Sequence, residues 1–362
     1  MKKLLSLLLC LALAVALAGC GSDNTNGTAT ATPTTAAAKD ATPTDAAPTT
    51  PADPTATATP TEAPKERAKV SVAVLKGPTA IGMLKLMADD EAETSANDYD
   101  FTVAGTADAI VGSVIKGDIP IAAVPCNLAA TLWNKTNGGI TVAAVNTLGV
   151  LYILDTGTSV QSVADLKGKT IYATGAGTTP EYTLRYLLQS NSIDPDKDVN
   201  IVMLSEASEV AAKMSSAEGD TIAMLPMPYV ISVLKQNENA RIALDVTKEW
   251  EKSNDSTVVT GVIIVNNNFL NENKETFDAF LDEYALSTAY ATEHVEETAD
   301  LSEHFDIFKA AVAKQAIPYC NIVCKTGSEM KSAVSAYLSV LFEANPASVG
   351  GKLPDDGFYY NR

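Results

Sequence analysis

Of the 44 residues from Gly21 to Pro64, 33 are Thr, Ala or Pro, and none is aromatic, Leu, Ile or Val. Such a stretch holds too little apolar surface to offset the entropy of ordering it, so folding is confined to the chain from about residue 65 onward. Within a unit spanning 20–66 the tract reads as a disordered tether, partly extended because proline favours the polyproline II conformation. A glycosylated stalk would share this composition. Roughly 150 residues make one compact unit, so the remainder suffices for two lobes or one large domain.

Ahead of the tract, Met1-Lys2-Lys3 is a positive start, Leu4 to Leu17 is apolar except for Ser6, and Ala18-Gly19 places small residues before Cys20. This pattern predicts an export signal over 1–19, since the apolar run falls short of the roughly 20 residues that span a bilayer. The run Leu17-Ala18-Gly19-Cys20 resembles the bacterial lipoprotein processing motif. That resemblance implies an acylated Cys20 as the mature N-terminus, anchoring the chain to the outer face of the bacterial cell membrane. Lys and Arg total 26 against 44 for Asp and Glu, a formal charge of −18, which excludes a nucleic-acid binder that works by neutralising phosphates.

From Lys69 the pattern changes to short β-branched runs alternating with helical periodicity. Val70 to Leu75, Phe101 to Ala104 and Ile121 to Val124 read as buried strands, each followed by turn residues and then a helix. The same order returns after Asp165, with strands at Thr170 to Ala173, Val199 to Leu204, Thr221 to Leu225 and Arg241 to Asp245. The expected fold class is therefore α/β with parallel sheets in two lobes. Ile140 to Leu154 and Val258 to Val265 are long strand-like stretches suited to run between the lobes as hinge strands. The expected division is 67–154 plus 259–362 for the first lobe and 155–258 for the second. Phe269 to Leu341 reads as mostly helical, with Met330, Val334, Tyr337, Leu338 and Leu341 forming a core stripe.

In open α/β sheets ligands gather beyond the carboxyl ends of the strands, where helix N-termini present free N–H groups. Five loops follow that rule. Lys76-Gly77-Pro78-Thr79 follows the first strand, Gly105-Thr106 the second with Asp108 as a first-turn acid, and Pro125-Cys126-Asn127 the third. In the second half, Gly175-Ala-Gly177-Thr178-Thr179-Pro180-Glu181-Tyr182 opens a helix, and Pro226-Met227-Pro228-Tyr229 follows a later strand. Thr178 with Glu181 also reads as a capping box, and Pro228 as a helix start. No dinucleotide fingerprint or P-loop is present. The two histidines, His294 and His304, lie in an acidic helical stretch without metal-ligand spacing, so neither a metal nor a cofactor is expected. Cys320 and Cys324 are as compatible with buried thiols as with a bridge.

Val72 to Thr79, Gly175 to Tyr182, Asp245-Val-Thr-Lys-Glu-Trp250, Gly261 to Val265 and the ending Pro346 to Tyr360 are similar to the solute-binding proteins of ABC importers in the nitrate, sulfonate, taurine and thiamine-precursor group. The resemblance implies a type II periplasmic-binding-protein fold, two lobes joined by two hinge strands and a monomer that delivers its solute to permease subunits. It places the first lobe's ligand contacts at Gly77, Pro78, Thr79, Cys126 and Asn127, beside Thr106 from the loop rule. In the second lobe it places them at Thr178, Thr179, Tyr182, Pro228 and Tyr229, beside Gly177. Tyr182 and Tyr229 are the expected aromatic contacts. Relatives often carry an acid before the proline matched by Pro228, whereas this chain has Met227. With few basic residues near these loops, the expected solute is a neutral or heteroaromatic molecule, such as a pyrimidine or flavin precursor, ahead of a sulfonate- or nitrate-like anion. The same fold also carries lyases and a pyrimidine synthase, and a surface sensor or adhesin would share the tether.

Overall fold

The computed structural model describes residues 66–362. The signal, Cys20 and the whole of the Thr/Ala/Pro tract lie outside the described residues.

β1 (Lys69–Leu75) leads through α1 (Pro78–Ile81) and α2 (Leu84–Glu91) to β2 (Asp98–Ala104), and α3 (Asp108–Lys116) then leads to β3 (Ile121–Pro125). Both β2 and β3 pair parallel to β1, as crossover helices require. β3 runs straight into α4 (Cys126–Lys135), and the chain continues into β4 (Ile140–Leu148). It then changes sheet at Gly149-Val150 and becomes β5 (Leu151–Asp155).

The second sheet is completed by β6 (Thr170–Thr174), α5 (Thr179–Ser190), β7 (Asn200–Leu204), α6 (Ala207–Ser215), β8 (Ile222–Pro226), α7 (Tyr229–Gln236) and β9 (Arg241–Asp245). Its order is β7-β6-β8-β5-β9. α8 (Val246–Glu251) returns the chain, and β10 (Val259–Asn266) re-enters the first sheet. Helices α9 (Asn267–Glu272), α10 (Lys274–Glu293), α11 (Val295–His304) and α12 (Ala310–Ala316) precede β11 (Ile322–Lys325), and α13 (Gly327–Ala344) closes the fold. The first sheet has the order β11-β4-β10-β3-β1-β2.

The sheets are mixed rather than purely parallel. β10 pairs antiparallel with β3 and β4, and β5 antiparallel with β8 and β9, so the two strands by which the chain enters each sheet from the other run against their neighbours. Val259 sits opposite Leu148, so the departure from the first sheet and the return to it are adjacent. α8 bridges the cores on either side of this point: Val246 packs in the second lobe, and the fully buried Trp250 packs in the first. Trp250 lies between Tyr186 of α5 and Tyr337 of α13, with ring centroids 4.6 and 5.2 Å away. The α13 stripe Met330, Val334, Tyr337, Leu338 and Leu341 is buried, as its 3.6-residue spacing predicts.

Cys126, Cys320 and Cys324 are all free thiols. Among the described residues no helix is long and apolar enough to cross a membrane, and no group of three or more His, Cys, Asp or Glu could hold a metal ion.

Candidate functional site

A cavity of about 440 Å³ opens at the carboxyl ends of strands from both sheets. The first lobe contributes Leu75 to Thr79 after β1, Gly105 to Asp108 after β2, and Pro125 at the end of β3. The second contributes Thr174, Gly175, Ala176, Thr178 and Pro180 after β6, Leu204, Ser205 and Ala207 after β7, and Pro226 at the end of β8. Leu151 and Thr260, next to the two crossings, complete the lining.

The β1–α1 loop takes its shape from Gly77, whose φ of 152° and ψ of −155° are open essentially to glycine alone. Pro78 then occupies the first helical turn, and Thr79 turns its hydroxyl back to donate to Leu75 O at 3.0 Å. In the β6–α5 loop, Gly175 adopts a left-handed φ of 80°. Thr178 Oγ1 donates to Gly175 O at 2.7 Å, while Glu181 Oε2 accepts the Gly177 N–H at 2.7 Å. The expected Thr178–Glu181 capping box is thus absent, because the Thr178 hydroxyl bonds backwards within the loop and the carboxylate reaches past it.

Of the sequence candidates, Gly77, Pro78, Thr79, Thr106 and Thr178 line the cavity. The others lie elsewhere. Cys126 is fully buried in the first core, and burial pushes its thiol well above the ordinary range. Asn127, Gly177 and Thr179 join the lobes to each other instead of lining the cavity. Asn127 Nδ2 donates to Gly177 O at 3.2 Å and to Ser348 O at 2.8 Å, and Asn127 Oδ1 accepts from Thr179 Oγ1 at 3.1 Å. A buried Thr183–Tyr337 hydroxyl pair at 2.7 Å extends the same seam.

Neither expected aromatic contact faces the cavity. Tyr182 lines a separate polar groove of about 510 Å³ outside α5, with Arg185 held by Glu181 at 2.7 Å and Asp196 at 2.8 Å. Pro228 follows a cis peptide bond and stands at the N-cap of α7, leaving Pro226 at the lining. Tyr229 is nearly buried, stands edge-on to Phe308 at 4.8 Å, and donates to Lys76 O at 3.4 Å, so it grips the β1–α1 loop from the opposite lobe. Burial, with the Glu206 carboxylate nearby, pushes its phenol up to about 12.

Sequence reasoning passed over Ser205, although it follows a recognised strand and obeys the same carboxyl-end rule as the chosen loops. It also passed over Thr260, which nothing in a run of buried strand residues distinguishes. Thr260 is 9% exposed and its Oγ1 has no hydrogen-bond partner among the described residues. The histidines stay on the surface: His304 pairs with Glu91 at 2.8 Å, and His294 stacks on Tyr290 with centroids 4.4 Å apart.

Residues 140–298 match the family model described as NMT1/THI5 like. No curated protein matches by sequence. Among solved structures, an ABC transporter protein from Parabacteroides distasonis is 24% identical, with a TM-score of 0.66 over 82% of this chain and 99% of that one. The periplasmic aliphatic sulphonate binding protein of Escherichia coli is 13% identical, with a TM-score of 0.63 over 80% of this chain and 93% of its own. The periplasmic nitrate-binding protein of Synechocystis is 13% identical, with a TM-score of 0.57 over 77% of this chain and 82% of its own. The fold is that of the periplasmic binding proteins.

Proposed function

We propose that this chain is the solute-binding component of an ABC importer, capturing a small organic molecule between its lobes and delivering it to permease subunits. The observation that carries the reading is the cavity itself: both lobes line it, and the chain passes between those lobes at two adjacent points. A solute touching both halves binds the closed form better than the open one and shifts the population toward closure. Its size fits one small molecule, and a micromolar dissociation constant needs only about 8 kcal/mol. The ligand-contacting set in this reading is Gly77, Pro78, Thr79, Thr106 and Thr178 with Ser205 and Thr260, while Asn127, Thr179 and Tyr229 hold the lobes together. The lining includes no histidine or cysteine to act as acid, base or nucleophile.

Acylation of Cys20 would hold the lobes outside the cell membrane at the end of the Thr/Ala/Pro tether. A Cys20→Ser change is then expected to abolish incorporation of an alkyne-labelled fatty acid and to release the protein from the membrane fraction. For the solute, the purified protein is challenged with the small-molecule fraction of a bacterial lysate, and its melting temperature is expected to rise, since a ligand that binds only the native state stabilises it. Native mass spectrometry then reports the bound mass. An unshifted melting temperature with no bound mass would contradict the reading.

A further inference from the structure

Resting on the solute-binding reading, we infer that solute affinity is set by two latches between the lobes that never touch the solute: Asn127 with Thr179 on one flank of the cavity, and Tyr229 with Phe308 on the other. The flanks follow from β10, whose successive side chains point to opposite faces of the first sheet. Ile263 and Val265 pack into one core, Val262 and Ile264 into another. Tyr229 and Phe308 pack with the first of these cores, while Cys126 and Ala129, which flank Asn127 in α4, pack with the second. The cavity lies between, at the carboxyl ends of the strands.

Both latches cross from one lobe to the other. Asn127 Nδ2 donates to Gly177 O at 3.2 Å, and Asn127 Oδ1 accepts from Thr179 Oγ1 at 3.1 Å. Asn127 and Thr179 are fully buried, so these bonds are shielded from competing water. On the other flank the rings of Tyr229 and Phe308 meet edge-on with centroids 4.8 Å apart, and the Tyr229 hydroxyl reaches Lys76 O at 3.4 Å.

Asn127, Thr179, Tyr229 and Phe308 are absent from the lining, yet each latch ends on a loop that forms it. Gly177 O lies between Ala176 and Thr178, and Lys76 precedes Gly77; these four residues line the cavity. Closing the lobes therefore makes the latches and sets the lining loops in one step. A solute that binds the closed form has an apparent dissociation constant equal to the intrinsic one divided by the fraction of free protein already closed. A latch raises that fraction without a contact to the solute. One hydrogen bond or one aromatic pair is worth roughly two- to tenfold in such a ratio, so the two flanks together shift closed against open by roughly 4- to 100-fold.

The test compares the wild type with Thr179→Val, Phe308→Ala and the double variant, none of which alters a lining residue. Native mass spectrometry gives the dilution of a bacterial lysate's small-molecule fraction that half-saturates each protein, and small-angle X-ray scattering gives the radius of gyration of each, free and loaded. The closed-to-open ratio is expected to fall roughly two- to tenfold in each single variant and by the product in the double, since the flanks share no partner. A free protein that is mostly open shows this as half-saturation weakened by the same factor, and one that is mostly closed as a larger free radius. Loaded variants are expected to keep the loaded wild-type radius, because the solute restores closure. Residues that merely stabilise the fold would lower the melting temperature and move neither readout. If the double variant loses its native circular dichroism, Thr179→Val alone is read for its two- to tenfold shift. Wild-type half-saturation together with a wild-type free radius would overturn the inference while leaving the importer reading standing. So would tighter binding, or a loaded variant more expanded than the loaded wild type. If nothing in the fraction binds the wild type, the importer reading falls and the inference falls with it.

Discussion

Replacing Gly149 by alanine tests whether the two crossings between the lobes pack against each other. Gly149 joins β4 to β5, and Thr247 sits in α8 on the return path. A Cβ on Gly149 would lie 1.9 Å from Thr247 Oγ1, 2.9 Å from its Cβ and 3.0 Å from its Cγ2. Rotation about χ1 exchanges the two branches but leaves Cβ in place, so no rotamer clears the space. Gly149 is not among the glycines with left-handed φ, so the conflict is one of volume alone. Overpacking of this kind costs about 1–3 kcal/mol. At about 2–4 °C per kcal/mol, the melting temperature should fall by roughly 2–12 °C. Urea unfolding of the wild type, Gly149→Ala, Thr247→Ala and the double variant measures the effect as a shift in midpoint at constant slope. Thr247→Ala removes both branches and so the 1.9 and 3.0 Å contacts but keeps the Cβ at 2.9 Å, so the double variant should recover part of the loss, with a coupling of about 0.5–2 kcal/mol. A Gly149→Ala protein with the wild-type midpoint, or a double variant whose costs simply add, would refute the reasoning.

Asn127→Ala removes the donor to Gly177 O and Ser348 O at the seam between lobes, and should cost about 1–3 kcal/mol in chemical denaturation; a change near zero would show that the seam carries little. Tyr229 keeps its proton to about pH 12 when folded and to about 10 when unfolded, so its contribution is complete below pH 10 and is lost as pH rises toward 12. Tyr229→Phe should therefore flatten the alkaline fall in stability by about 2–3 kcal/mol, and an unchanged profile would contradict this. Burial raises the Cys324 thiol to about 11 and holds those of Cys126 and Cys320 higher still. At pH 8 the native protein should react with an aromatic disulfide reagent roughly 100-fold more slowly than a free thiol, and fast labelling of any of the three would overturn the packing described.

The carboxyl ends of the strands were the most legible part of the molecule. Arg241–Asp245 matches its expected span, and the other crossover strands end within a residue of expectation, because β-branched runs stop where turn residues begin. The start of β2 was obscured: Asp98 and Asp100 face outward on an edge strand, where charge guards against unwanted pairing. β11, only four residues between helices, has no alternation long enough to show in sequence, yet it closes one edge of the first sheet beside β4. At the cavity, loop glycines and hydroxyls were readable because their conformations are local. The placement of Asn127, Tyr182 and Tyr229 was not, since which way those side chains turn depends on the opposite lobe, from which Gly177, Leu341 and Phe308 approach them.

Small-angle X-ray scattering, recorded from the protein alone and with a solute that raises its melting temperature, addresses capture between the lobes most directly. Closure of the lobes on the solute predicts a smaller radius of gyration with solute present than without it. Identical curves for the free and fully loaded protein would contradict it.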